Sequence, residues 1–205
     1  MVVGIAGPAG SGKSTVCRLL SRRPGFSFLD CDGIAKSTYV PGGPAYRDVV
    51  EAFGEGILAP DGSVDRRRLA EIVLPDPGKR KRLEELVHPH VAAQLRDAIS
   101  RERARGTEVL LVEGVLLFSS PHVPREIFDL AVWLEAPEGV RKRRLLSAGL
   151  PPGLVELRLR AQRDLRPPPW ATVVDASRPP DAVARDILAL IAEKKGHGGP
   201  RAPVT

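Results

Sequence analysis

Between Gly7 and Ser14 the chain reads GPAGSGKS, directly after the apolar run VVGIA. The octapeptide fits G-x-x-x-x-G-K-[ST], and it stands where the motif's physics requires, after a predicted strand and opening a helix. Gly7, Gly10 and Gly12 let the backbone curl until successive N–H groups point inward, and the helix beginning near Lys13 adds its positive end. The loop is therefore read as an anion cradle in which Gly10, Ser11, Gly12, Lys13, Ser14 and Thr15 hold a nucleoside triphosphate. Lys13 reaches the β- and γ-phosphates as a point charge, and Ser14 places its hydroxyl on Mg²⁺. Thr15 adds a contact nearer the nucleoside. The plain alternative is a flexible glycine turn with an incidental lysine, and it does not account for the full spacing.

The rest of the chain alternates short apolar runs with helical stretches, the pattern of an α/β parallel sheet. After Val2 to Gly7, strands are expected at FSFLD (Phe26 to Asp30), EVLLVEG (Glu108 to Gly114), DLAVWLEA (Asp129 to Ala136) and ATVVDAS (Ala171 to Ser177). Helices are expected over Lys13 to Arg22, Ile34 to Tyr39, Ala45 to Phe53, Asp65 to Leu74 and a long stretch after Pro89. The fold class that follows is a doubly wound, five-stranded parallel sheet. A helical insert, about residues 33–105, lies between strands 2 and 3, and residues 141–166 form a hinged basic lid. Residues 1–195 are read as one domain, and 196–205, GHGGPRAPVT, as a disordered tail.

Composition narrows the function classes. With 205 residues, 42% hydrophobic and 27% charged, the chain supports one sizeable core. The net charge of +6 comes from arginines scattered among acids, a solvated basic surface that also suits a phosphorylated ligand. Aromatic residues make up only 4%, too few for base-stacking platforms, so no nucleic-acid partner is expected. No apolar run nears the roughly 18 residues of a membrane span, and no signal peptide precedes the first strand. A cytoplasmic enzyme, monomer or small homo-oligomer, is expected. Cys17 and Cys31 lack CxxC spacing and read as reduced and structural. His88, His90, His122 and His197 show no metal-ligand spacing; His88 alone draws interest, as a ring at the start of a long helix facing the insert's ligand.

Phosphoryl transfer also needs a positioned acceptor and charge neutralisation. LDCD ends the second strand at the sheet edge where ligands bind, and strand alternation puts Asp30 and Asp32 on one face. Either carboxylate can take the proton of an attacking hydroxyl; the competing role for Asp32 is to cap a helix from Gly33. Glu113 closes the third strand, where an acid assists Mg²⁺ through water. Eight basic residues lie between Arg141 and Arg166. Of these Arg144 and Arg143, then Arg163, are the candidates for contact with the transferring group.

Together these residues resemble the dephospho-CoA kinase family of P-loop kinases. The resemblance rests on Asp30 and Asp32, Pro41 and Gly42, Phe53-Gly54 with Ile57-Leu58, Asp61-Gly62 with Asp65-Arg66, and His88-Pro89, all in order. It implies transfer of the ATP γ-phosphate to the ribose 3′-hydroxyl of dephospho-CoA, with Asp32 as the base, Lys13 and the lid arginines as charge stabilisers, and the insert and His88 on the acceptor. Gln162 matches the glutamine of the helix after the lid turn. The chain departs from the family at Val115 and Ser119, where Pro and Glu are usual. At the lid, Arg143 matches the first of two arginines and Ser147 holds the second place, leaving Arg144 as substitute. Ala171-Thr172 stands for Ala-Asp. Two rivals remain: a uridine or nucleoside monophosphate kinase, since VEGVLLF resembles the third strand of uridine kinases, and a non-catalytic nucleotide-binding protein.

Overall fold

The computed structural model describes residues 1–197. Five parallel strands, β1 (Val2–Ala6), β2 (Phe26–Asp30), β3 (Val109–Glu113), β4 (Leu130–Glu135) and β5 (Thr172–Asp175), form one sheet in the order β2-β3-β1-β4-β5. β1 is central and buried along its whole length, as a strand covered on both faces must be. Its alternate residues divide between two cores. Val3 and Ile5 meet Val16, Cys17 and Leu20 of α1 (Lys13–Leu20) and Val183, Ile187 and Ile191 of α8 (Pro180–His197). Val2 and Ala6 face the other layer, built by the helices between β2 and β3. Gly4 points into that layer, and a Cβ there would lie 2.7 Å from the ring of Phe118 and 2.8 Å from that of Phe128.

The insert comprises α2 (Cys31–Thr38), α3 (Tyr46–Phe53), α4 (Arg66–Val73) and α5 (Pro77–Ala104). Val49, Leu69, Val87 and Leu95 carry its core onto the sheet. The long helix begins at Pro77, twelve residues before the expected start at Pro89, because Asp76 caps it by accepting from the amides of Gly78 (2.8 Å) and Lys79 (3.1 Å). Pro89 lies inside the helix and removes one backbone bond. Val87, Val91 and Leu95, buried on either side of it, hold the helix to the core regardless.

After β4, α6 (Glu138–Ser147) and α7 (Pro152–Ala161) form a hairpin. Leu145, Val155 and Leu159 close around the methyl group of Ala9 in a separate small cluster. The hairpin thus packs on the loop after β1. Of the expected terminal tail, Gly196 and His197 belong to α8, and residues 198–205 lie outside the described residues.

Candidate active site

The loop joining β1 to α1 takes its shape from three glycines with positive φ, Gly7 (144°), Gly10 (80°) and Gly12 (97°). Gly10 is also confined by packing, since a Cβ there would lie 2.6 Å from the carbonyl oxygen of Arg141 on α6. Gly12 precedes α1 without a side-chain cap, so the first-turn amides of that helix face the loop's interior unclaimed by a side chain. Ser11 Oγ is buried and has no hydrogen-bond partner among the described residues.

Lys13 is almost wholly buried and donates from Nζ to the carbonyls of Gly7 (2.8 Å) and Pro8 (3.3 Å). Burial pushes its pKa down; Asp32 first and Glu113 next oppose that shift. Ser14 Oγ donates to Glu113 Oε1 at 2.5 Å. Glu113 is 2% exposed and its Oε2 has no partner among the described residues. Burial raises its pKa, while the Ser14 hydrogen bond and Lys13 hold it down. An orphaned carboxylate oxygen beside a serine hydroxyl is a hard-oxygen set that fits a Mg²⁺ whose other ligands are phosphate oxygens and water. No group of three or more His, Cys, Asp or Glu among the described residues could hold a metal by itself.

The acidic pair is arranged differently from the expected strand alternation. β2 ends at Asp30, whose carboxylate accepts from the amide of Gly33 at 2.9 Å and so caps α2. The capping role weighed for Asp32 belongs to Asp30, because the chain turns helical one residue after the strand. Asp32 is freed from capping and lies in the first turn of α2, half-buried, at the carboxyl end of β2 and within electrostatic reach of Lys13. Gly114 lets the end of β3 pack against the start of α2, since a Cβ there would lie 3.2 Å from Cys31 Cβ, 3.5 Å from Leu117 Cβ and 3.9 Å from Asp32 Oδ1.

His88, half-buried on α5, belongs to the same side. Burial lowers its pKa first, His122 lowers it further, and Asp32 opposes both. Tyr39 also feels Asp32: its hydroxyl pKa is raised by burial, with Arg66 opposing and Asp32 reinforcing. Tyr39, Arg66 and His122 were not among the expected site residues. The folding of the insert brings Tyr39 within electrostatic reach of Asp32 and of Arg66, and the segment after β3 brings His122 within reach of His88; of the three only Arg66 falls in a motif, the Asp65-Arg66 pair.

On the lid, Arg144 and not Arg143 reaches the loop. Arg144 Nη1 donates to the carbonyl of Ser11 (3.2 Å) and approaches that of Gly10 (3.5 Å), while Nη2 lies 3.4 Å from the carbonyls of Ser177 and Arg178. Arg143 is exposed, since on a helix the inward positions are Arg141, Arg144 and Leu145, three and four apart. Arg163 is likewise exposed and pairs with Asp164 at 3.3 Å. Gln162, just after α7, accepts from the Ala9 amide at 2.7 Å.

The sequence model of the dephospho-CoA kinase family matches residues 1–165. A dephospho-CoA kinase of Symbiobacterium thermophilum is 37% identical over 165 residues, covering 80% of this chain and 68% of the relative. One from Anaeromyxobacter dehalogenans is 34% identical over 98% of this chain and 96% of its own length. A crystal structure from Thermus thermophilus superposes with a TM-score of 0.69 at 30% identity, covering 94% of this chain and 97% of that one. The match spans the glycine loop, the carboxylates at the ends of β2 and β3, the helical insert and the lid hairpin, which meet at one edge of the sheet; the chain belongs to the dephospho-CoA kinase family.

Proposed function

We propose that this protein transfers the γ-phosphoryl group of ATP to the ribose 3′-hydroxyl of dephospho-CoA, giving coenzyme A. The observation that carries the reading is that Asp30, not Asp32, caps α2, which leaves Asp32 in the first turn of that helix within electrostatic reach of Lys13. Asp32 orients the acceptor hydroxyl and takes its proton as the oxygen attacks the γ-phosphorus, the bond from that phosphorus to the β–γ bridging oxygen breaks, and ADP leaves. Lys13 exchanges the carbonyls of Gly7 and Pro8 for phosphate oxygens, and the amides from Gly10 to Thr15 hold the chain of phosphates. Ser14 and Glu113 would hold Mg²⁺, Glu113 through water, and the ion would supply positive charge that offsets the charge on the transferring group. Arg144 adds a cation from the lid. His88 and the insert, residues 33–105, receive the acceptor.

The working protein is proposed to be cytoplasmic, a monomer or small homo-oligomer, with a small molecule and not a nucleic acid as partner. Among the described residues no helix is long and apolar enough to cross a membrane. A coupled kinase assay with Mg-ATP compares dephospho-CoA, uridine and nucleoside monophosphates as acceptors. Turnover of dephospho-CoA alone is expected. Turnover confined to uridine, or ATP binding with no transfer to any acceptor, overturns the reading.

A further inference from the structure

The end of α7 touches both halves of the proposed site. Its last carbonyl, that of Ala161, is one of the acceptors that a helix C-terminus leaves without an internal partner, and Arg80 Nη1 fills it at 2.5 Å. A cation at that end also complements the helix dipole. The next side chain, Gln162, accepts the amide of Ala9 in the phosphate loop. Ala9 is therefore gripped twice, by Gln162 at its N–H and by Leu145, Val155 and Leu159 at its methyl group. Arg80 stands in the first turns of α5, eight residues before His88, or about 12 Å along the same helix. α5 packs in turn on α2, which carries Asp32.

We infer that Gln162 is a positioning residue for the phosphate loop, and that Arg80 ties its hold to the acceptor insert, so the loop is set from the side that carries the base. A continuous strap then runs from Asp32 through α2 and α5 to Arg80, on to Ala161 and Gln162, and ends at Ala9. Its work is alignment. The reacting oxygen and the γ-phosphorus sit on separate parts of the chain, and a misplacement of about 1 Å between such groups costs on the order of 100-fold in rate. The inference rests on the reading of the loop as a triphosphate cradle.

Gln162→Leu keeps the volume and removes the acceptor oxygen. It is expected to lower kcat roughly 10- to 100-fold, while the Kd for ADP shifts by less than about threefold. The Ala9 amide should exchange its hydrogen at least about tenfold faster in this variant. Arg80→Met, which removes the donor to the Ala161 carbonyl, should lower kcat by a few fold, Arg80→Lys should recover part of that loss, and the double variant should be no worse than Gln162→Leu alone. Near-normal kcat in Gln162→Leu, independent multiplication of the two losses, or unchanged Ala9 exchange overturns the strap. Should Gln162→Leu fail to fold, Arg80→Met carries the test through the same exchange measurement. Wild-type protein that binds no ADP sinks the cradle instead, which separates the two failures.

Discussion

Asp30 and Asp32 are two residues apart and have different duties, because the strand ends between them. Asp30 accepts from the Gly33 amide and caps α2, which leaves the Asp32 carboxylate out of the cap and open to the proposed role as base. Asp32→Asn is expected to lower kcat by about 10²-fold or more with ADP affinity nearly unchanged, measured by steady-state assay and calorimetry. Glu113 gives a stability signature besides activity. Its folded pKa lies above the ordinary 4.5 through burial, so the folded state favours the protonated form. The stabilisation from holding that proton is complete below the unfolded pKa and is lost as pH rises through the raised folded value. Glu113→Gln should therefore gain thermal stability relative to the wild type at pH 7 compared with pH 4, while its Mg-dependent turnover falls. Equal Tm differences at both pH values would remove burial as the cause.

At the scale of elements, α5 carries an internal contradiction. A proline inside a helix costs about 3 kcal/mol, yet the helix continues through Pro89 because Val87, Val91 and Leu95 are fastened into the insert's core. Pro89→Ala restores the missing backbone bond. It should raise stability in urea by about 1 kcal/mol or more, and by relaxing the helix beside His88 it should raise KM for the acceptor. The cap at the start of the same helix works in the opposite sense: Asp76→Ala, which orphans the Gly78 and Lys79 amides, should cost about 1 kcal/mol in the same measurement. Proline opens the helix at Pro77 and at Pro152, where its missing N–H costs nothing, but the long helix expected only after Pro89 runs straight through that residue. Burial of the flanking valines overrides that local signal at Pro89.

At the scale of the molecule, the strand order brings the chemistry together. Placing β3 between β1 and β2 sets Glu113 beside Ile5 on one side and Asp30 on the other. Three carboxyl ends, the phosphate loop and two acids thus share one sheet edge. A ligand binding there stabilises the whole fold by mass action. Mg-ADP at about 100 times its Kd contributes about 2.7 kcal/mol, or on the order of 5–10 °C in Tm for a chain of this size. Lys13→Ala should abolish most of that shift in a thermal melt. A full shift in the variant would contradict the cradle.

The five strands, the glycine loop, the insert between strands 2 and 3 and the family itself were all legible in the chain, because periodicity, glycine geometry and motif spacing are local properties. Ser14, Glu113 and Lys13 were legible for the same reason. Which arginine reaches the loop was not, since helical phase relative to a neighbour turned Arg144 inward and left Arg143 in solvent. The same limit hid the division of labour between Asp30 and Asp32, the neighbours of His88 and the strap from Arg80 to Ala9. Each depends on contacts between residues far apart in sequence, up to 153 positions for the Ala9–Gln162 bond, and only packing of the folded chain decides them.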